Sequence, residues 1–123
     1  MIKTFIASSN LTEYQLVKVD VNGKVLPCSA STDLPIGVCQ RSVSAGEPVE
    51  IIVQGETTAI SGGVLISGST HFLQSDASGR CVAYASADAG TQIIAGRWIP
   101  TDAAASAAAN QYIQIVFNPA IGG

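Results

Sequence analysis

Apolar and polar residues alternate along this chain in short runs punctuated by glycine, a pattern of strands and tight turns rather than of long helices. Val49-Glu50-Ile51-Ile52-Val53 and Tyr112-Ile113-Gln114-Ile115-Val116-Phe117 are rich in β-branched or aromatic residues and period-two in part, as half-buried strands require. Leu16-Val17 and Val25-Leu26 flank Asp20-Val21-Asn22-Gly23-Lys24, the layout of a hairpin. Its Asn22-Gly23 pair predicts a type I′ turn, which needs positive φ at both central residues. Val64-Leu65-Ile66, set among Gly62-Gly63 and Gly68, predicts a further strand. The one helical candidate is Thr101 to Asn110, an alanine-rich run that Thr101 or Asp102 can cap. A helix that short is marginal alone, so a loop with one or two helical turns is expected.

Slid against itself by 56 residues, the sequence places Asp20 on Asp76 and Gly23 on Gly79. Around these identities Leu16-Val17 meets Phe72-Leu73, Asn22 meets Ser78, Lys24 meets Arg80, and Val25-Leu26 meets Cys81-Val82. Each copy is thus a strand, a tip of the form Asp-x-(Asn/Ser)-Gly-(Lys/Arg), and a second strand. Downstream, Gly37 aligns with Gly96 at an offset of 59, and Val49–Val53 with Tyr112–Val116 at 63, so short loop insertions separate the copies. The expected fold is all-β: a compact small β-barrel or sandwich over residues 13–123, with copies at about 14–54 and 70–117. Residues 1–12 have no counterpart in the second copy. There Ile2, Phe5, Ile6 and Leu11 stand among Ser8, Ser9 and Asn10, which predicts an N-terminal arm that either frays or docks on something.

Composition adds a reason to look for a partner. The chain has 123 residues, 47% of them hydrophobic and only 12% charged, where soluble domains typically carry about 25% charged residues. No apolar stretch approaches the roughly 18 residues of a membrane-spanning helix, so the excess apolar surface is expected to be buried between copies or on a larger assembly, with no membrane involved. Lys3, Lys18, Lys24, Arg41, Arg80 and Arg97 are scattered singly and the net charge is -3, which argues against a nucleic-acid partner. The segment Met1 to Leu11 is too short and too polar in its second half for the apolar core of a secretory signal, which places the protein where it is made or on particles assembled there. Cys28, Cys39 and Cys81 are odd in number and outside any CxxC spacing, as suits reduced thiols.

Candidate chemistry is sparse. His71 is the one histidine and aligns with Gln15, a strand-edge position. Zinc would need the three cysteines and His71 to converge, but each cysteine sits in an apolar strand context where thiols are usually buried and inert. Asp20 and Asp76 have a turn explanation, because an aspartate side chain caps the amides that follow it. Asp20-Val21-Asn22-Gly23 resembles the start of a calcium loop, yet the twelve-residue spacing and terminal Glu are absent. No phosphate loop, nucleophile elbow or dinucleotide fingerprint occurs, so neither an enzyme nor a cofactor is expected. Trp98 has a core reading, but Arg and Trp are also enriched at interface hot spots, and the copy-one positions beside Gly37 are the smaller Val38 and Cys39. Ile2, Phe5, Ile6, Leu11, Arg97 and Trp98 are therefore the candidate contact residues.

The glycine and strand pattern resembles the decoration, or cement, proteins of tailed-phage capsids. It is carried by Asn22-Gly23-Lys24-Val25, Pro35-Ile36-Gly37-Val38, Ala45-Gly46-Glu47-Pro48-Val49-Glu50-Ile51 and Gly55-Glu56-Thr57, then by Ser78-Gly79-Arg80-Cys81-Val82, Ile93-Ile94-Ala95-Gly96 and Ile113-Gln114-Ile115-Val116. The longer Ala103–Ala109 loop departs from it. The resemblance implies a small β-barrel-like fold, homotrimers on the capsid exterior in contact with the major capsid protein, assembly in the host cytoplasm, and no catalysis. A phage tail or fibre β-domain that binds a host glycan or another virion protein is the alternative.

Overall fold

The computed structural model describes residues 1–30, 33–63, 65–66, 72–83, 93–99 and 106–121. Five strands build a first antiparallel sheet: β1 (Ile2–Ile6), β2 (Leu16–Val19), β3 (Val25–Pro27), β4 (Gly37–Cys39) and β5 (Pro48–Ile52), in the order β1-β5-β4-β2-β3. A second contains β6 (Gly55–Ile60), β8 (Leu73–Ser75), β9 (Cys81–Ala83), β10 (Ile93–Ile99) and β12 (Tyr112–Ile121), in the order β6-β12-β10-β8-β9. Between β6 and β8 lies β7 (Leu65–Ile66), which pairs with β11 (Ser106–Ala107). The two edges of each large sheet meet only at one parallel bridge just beyond the outer strand, Ala7 with Val25 and Ser61 with Cys81, so the all-β fold is a sandwich rather than a closed barrel, and no helix occurs among the described residues.

The two sheet orders are the same order. β2, β3, β4 and β5 correspond to β8, β9, β10 and β12, and β1 corresponds to β6. The duplication therefore includes the opening segment. Residues 2–6 are not an arm: β1 runs antiparallel along β5, from Ile2 opposite Ile52 to Ile6 opposite Pro48, as β6 runs along β12 from Glu56 opposite Val116 to Ile60 opposite Tyr112. Even the single bridge between Leu11 and Val43 has a counterpart, the β7–β11 pair in which Leu65 faces Ala107. The sequence alignment of the last strand is one residue out. Cys39 opposite Ile51 matches Trp98 opposite Ile115, so Val49 corresponds to Ile113 and not to Tyr112. A slip of one residue exchanges the two faces of a strand, and burial agrees with the shifted register: Val49, Ile51, Ile113 and Ile115 are all buried, whereas Tyr112 is exposed.

Both hairpin tips also differ from the type I′ expectation. Gly23 has φ +77° and Gly79 has φ +75°, while Asn22 and Ser78 do not enter the positive-φ region. In each tip the aspartate carbonyl accepts the glycine amide, at 3.1 Å in copy one and 3.4 Å in copy two, which makes a three-residue loop with the glycine in the left-handed position. The aspartate selects this geometry. Asp20 Oδ1 accepts the amides of Asn22 (2.8 Å) and Lys24 (3.0 Å), and Asp76 Oδ1 accepts those of Ser78 (2.8 Å) and Arg80 (2.9 Å).

Gly37 and Gly96 hold equivalent places where two backbones nearly touch. A Cβ on Gly37 would collide with the Ile52 carbonyl, and one on Gly96 with the Val116 carbonyl of the matching strand. Two cores result. One lies wholly within copy one: Ala7, Leu11, Val17, Val25, Cys39, Val43, Val49 and Ile51. The other joins the copies, since Leu16, Cys28 and Val38 of copy one pack among Leu73, Cys81, Trp98, Ile115 and Phe117 of copy two. The predicted strand at 64–66 appears as β7 at Leu65–Ile66, with Val64 outside the described residues. The part of the alanine-rich run that is described, 106–110, is strand β11 and a turn rather than helix; Thr101–Ala105 lie outside the described residues.

Candidate functional site

The first surface to consider is the seam between the copies, where polar side chains line a groove of about 460 Å³ beside the second hairpin tip. Thr12, Gln15, Ile60, Ser78, Arg80, Asn110 and Tyr112 form its wall. Hydrogen bonds link several of its polar groups. Gln15 Nε2 donates to the Ser78 carbonyl at 2.6 Å, and Arg80 donates to Asp76 Oδ2 at 2.9 Å and to Asn110 Oδ1 at 2.6 Å. Tyr112 Oη donates to Glu13 at 2.7 Å, which raises the phenol pKa, and its ring meets Tyr14 edge-on with centroids 5.2 Å apart. These contacts tie copy one to copy two across the groove.

Thiol chemistry is suppressed. Burial pushes Cys28 and Cys81 up to about 12 and Cys39 up to about 11, so almost no thiolate exists near neutral pH. Cys28 and Cys81 share the joint core while Cys39 belongs to the copy-one core, so the three do not converge on one ion. No group of three metal-ligating side chains occurs among the described residues, and His71 lies outside them. The half-buried carboxylate of Asp33 caps the β3–β4 connection by accepting from Lys18 Nζ (2.9 Å) and the amides of Ser29 (2.8 Å) and Ala30 (3.1 Å). Burial works to raise its pKa, but the Ser29 amide and the Lys18 ammonium outweigh that and hold it below the ordinary carboxylate value.

The six candidate contact residues do not form one patch. Ile2 (61% exposed) and Ile6 (40%) show their side chains on β1, where they leave an apolar strip along the sheet edge. Phe5 turns to the other side and packs against the copy-one core, which Leu11 joins outright. Arg97 is exposed on β10, but its neighbour Trp98 is buried in the joint core and has a packing role. Exposed apolar residues that sequence reasoning passed over are Val21 (101%), Phe72 (49%) and Tyr112 (63%). Val21 had a signal: a β-branched apolar residue in a turn tip has no core to serve.

Comparison with known proteins gives a fold. No protein-family profile matches the chain, and no curated protein matches it. Among solved structures, the N-terminal base of the bacteriophage phi29 head fiber protein gp8.5 superposes with a TM-score of 0.70 at 19% identity, covering 96% of this chain and 93% of that one. The chain is thus similar in fold, across nearly its whole length, to the base of a phage head fiber.

Proposed function

We propose that this protein is a non-catalytic structural component of a phage virion that sits on the capsid exterior as a homotrimer, contacts the major capsid protein and stabilises the shell. The likeness in fold to a phage head-fiber base over almost the entire chain is the observation that carries this reading. The physical character of the molecule supports it. A duplicated sandwich with protonated buried thiols, a joint core between its copies and apolar residues on its edge strand is suited to contact rather than turnover. A ligand that binds the mature shell better than its strained or broken forms stabilises it by mass action, multiplied over many copies.

The protein is expected to co-sediment with emptied mature capsids and not with procapsids, and to raise the temperature at which the capsids lose their contents. Absence of co-sedimentation overturns the capsid reading. The second reading, a fibre-associated domain that binds a host glycan or another virion protein, is favoured by the likeness to the base of a head fiber. Retention on host cells or their polysaccharide, without capsid binding, would select it.

A further inference from the structure

The two hairpin tips are built alike but used differently. In copy two the tip is docked: Leu16 of copy one donates its amide to the Gly79 carbonyl at 2.7 Å, and Gln15 Nε2 donates to Ser78 at 2.6 Å. Gly79 is buried by this contact, and a Cβ there would meet Gln15 Cγ and the Leu16 carbonyl at 2.9 Å. In copy one the same tip projects into solvent. Nothing lies within 4 Å of where a Gly23 Cβ would be, and Val21, Asn22 and Lys24 are exposed. The receiving face shows the opposite imbalance. Leu16 and Val38, paired across β2 and β4, are fully buried under copy two, whereas their counterparts Phe72 and Arg97 are exposed. Copy one therefore has a used face and a spare tip, and copy two a used tip and a spare face.

From this we infer that two chains join head to tail, the Asp20–Lys24 tip of one docking on the Phe72 and Arg97 face of the next and repeating the contact that Asp76–Arg80 makes on Leu16 within each chain. The template is a contact this sequence already forms, with the same turn, the same capping aspartate and an apolar residue at the receiving position. Because tip and face are different surfaces, the contact is heterologous and repeats until a ring closes. This rests on the reading of the chain as a self-associating virion protein and specifies the surface it would use.

Complementation by paired variants tests it. Gly23→Asn spoils the tip, because a side chain there would meet the receiving strand as a Cβ on Gly79 would meet Gln15 and Leu16, and Phe72→Glu spoils the face. Gly23 has open space around it, Asn tolerates its left-handed backbone and Phe72 is exposed, so each variant is expected to keep the circular dichroism of the parent chain. In sedimentation velocity the parent chain is expected to form a closed oligomer, and each variant alone to associate at least about tenfold more weakly. Mixed in equal amounts, the variants retain one sound tip and one sound face, and should form a dimer and nothing larger. Leu34→Glu, at an exposed residue outside both surfaces, should leave association unchanged. A monomeric parent chain, unweakened variants, or a mixture that yields no dimer would each overturn the proposal. Capsid co-sedimentation reads the other question: if it persists while the mixed dimer is absent, this contact fails and the capsid reading stands.

Discussion

Copy one and copy two share five strands, their order and their turns, and differ in what lies against them. Copy one has a core of its own, closed by Ala7, Leu11 and Val43, and lends the opposite face of its sheet to copy two. Copy two is filled by larger side chains, with Trp98 where copy one has Cys39 and Phe117 where copy one has the half-buried Val53. A duplicated backbone thus carries two different packings. The lesson is that strand order is fixed by register and turns, which both copies keep, while volume is free to drift wherever the neighbouring surface differs.

The largest expected effect breaks that difference in volume. Trp98→Ala should cost about 3 to 5 kcal/mol of unfolding free energy by leaving a cavity in the joint core, and Cys39→Ala, at the matching register, about 1 kcal/mol. Denaturant melts of the two variants decide it. Equal losses would mean that Trp98 is not the packing centre of copy two.

Next comes a pair that should behave alike. Gly37→Ala and Gly96→Ala each drive a methyl into the carbonyl of the adjacent strand, and each should cost about 3 kcal/mol or more. Here the comparison is sharpened by sameness: thermal melts that differ widely would show that only one copy depends on the close strand approach.

The tips separate the copies again, by a smaller amount. Gly23→Ala carries only the left-handed backbone penalty, about 1 to 2 kcal/mol, because the space around it is open. Gly79→Ala adds a contact at 2.9 Å with the Leu16 carbonyl, so about 1 kcal/mol more is expected from the same melts.

Much of this was legible in the residues, and the remainder has physical causes. Asp20 and Asp76, Gly23 and Gly79, and Gly37 and Gly96 announce the duplication because backbone constraints at those positions allow few alternatives. The match of β1 to β6 was not legible: Ile-Lys-Thr-Phe-Ile and Glu-Thr-Thr-Ala-Ile serve edge strands with different neighbours, and only the pairing with β5 and β12 reveals their kinship. The register of β12 was missed by one residue because no glycine lies within Tyr112–Phe117 to anchor the alignment. Asn22-Gly23 favours a two-residue loop by its own conformational preference, but the Asp20 carboxylate, by accepting the amides of Asn22 and Lys24, sets a three-residue one. The spare tip and spare face depend on how one copy sits on the other, and a single sequence carries no signal of that.

The smallest expected effect is a pH response confined to the β3–β4 connection of copy one. Asp33 is held below its unfolded value of 3.8 by the Ser29 amide and Lys18. A depressed carboxyl stabilises the fold fully above the unfolded value and loses that contribution as pH falls through the folded one. Stability should therefore fall as pH is lowered below the ordinary carboxylate value, over and above the decline that Asp33→Asn retains, and urea melts of the two chains across the acid range measure the difference. Because Lys18 lies on β2, whose other residues Leu16 and Val17 supply both cores, loosening this cap in acid should be felt in the shared core as well as in the connection. Amide exchange on Leu16 and Val17 near pH 3 distinguishes the outcomes: exchange that quickens in the parent chain relative to neutral pH, after correction for intrinsic rates, and quickens less in Asp33→Asn supports the coupling, and an equal acid-driven change in both would refute it.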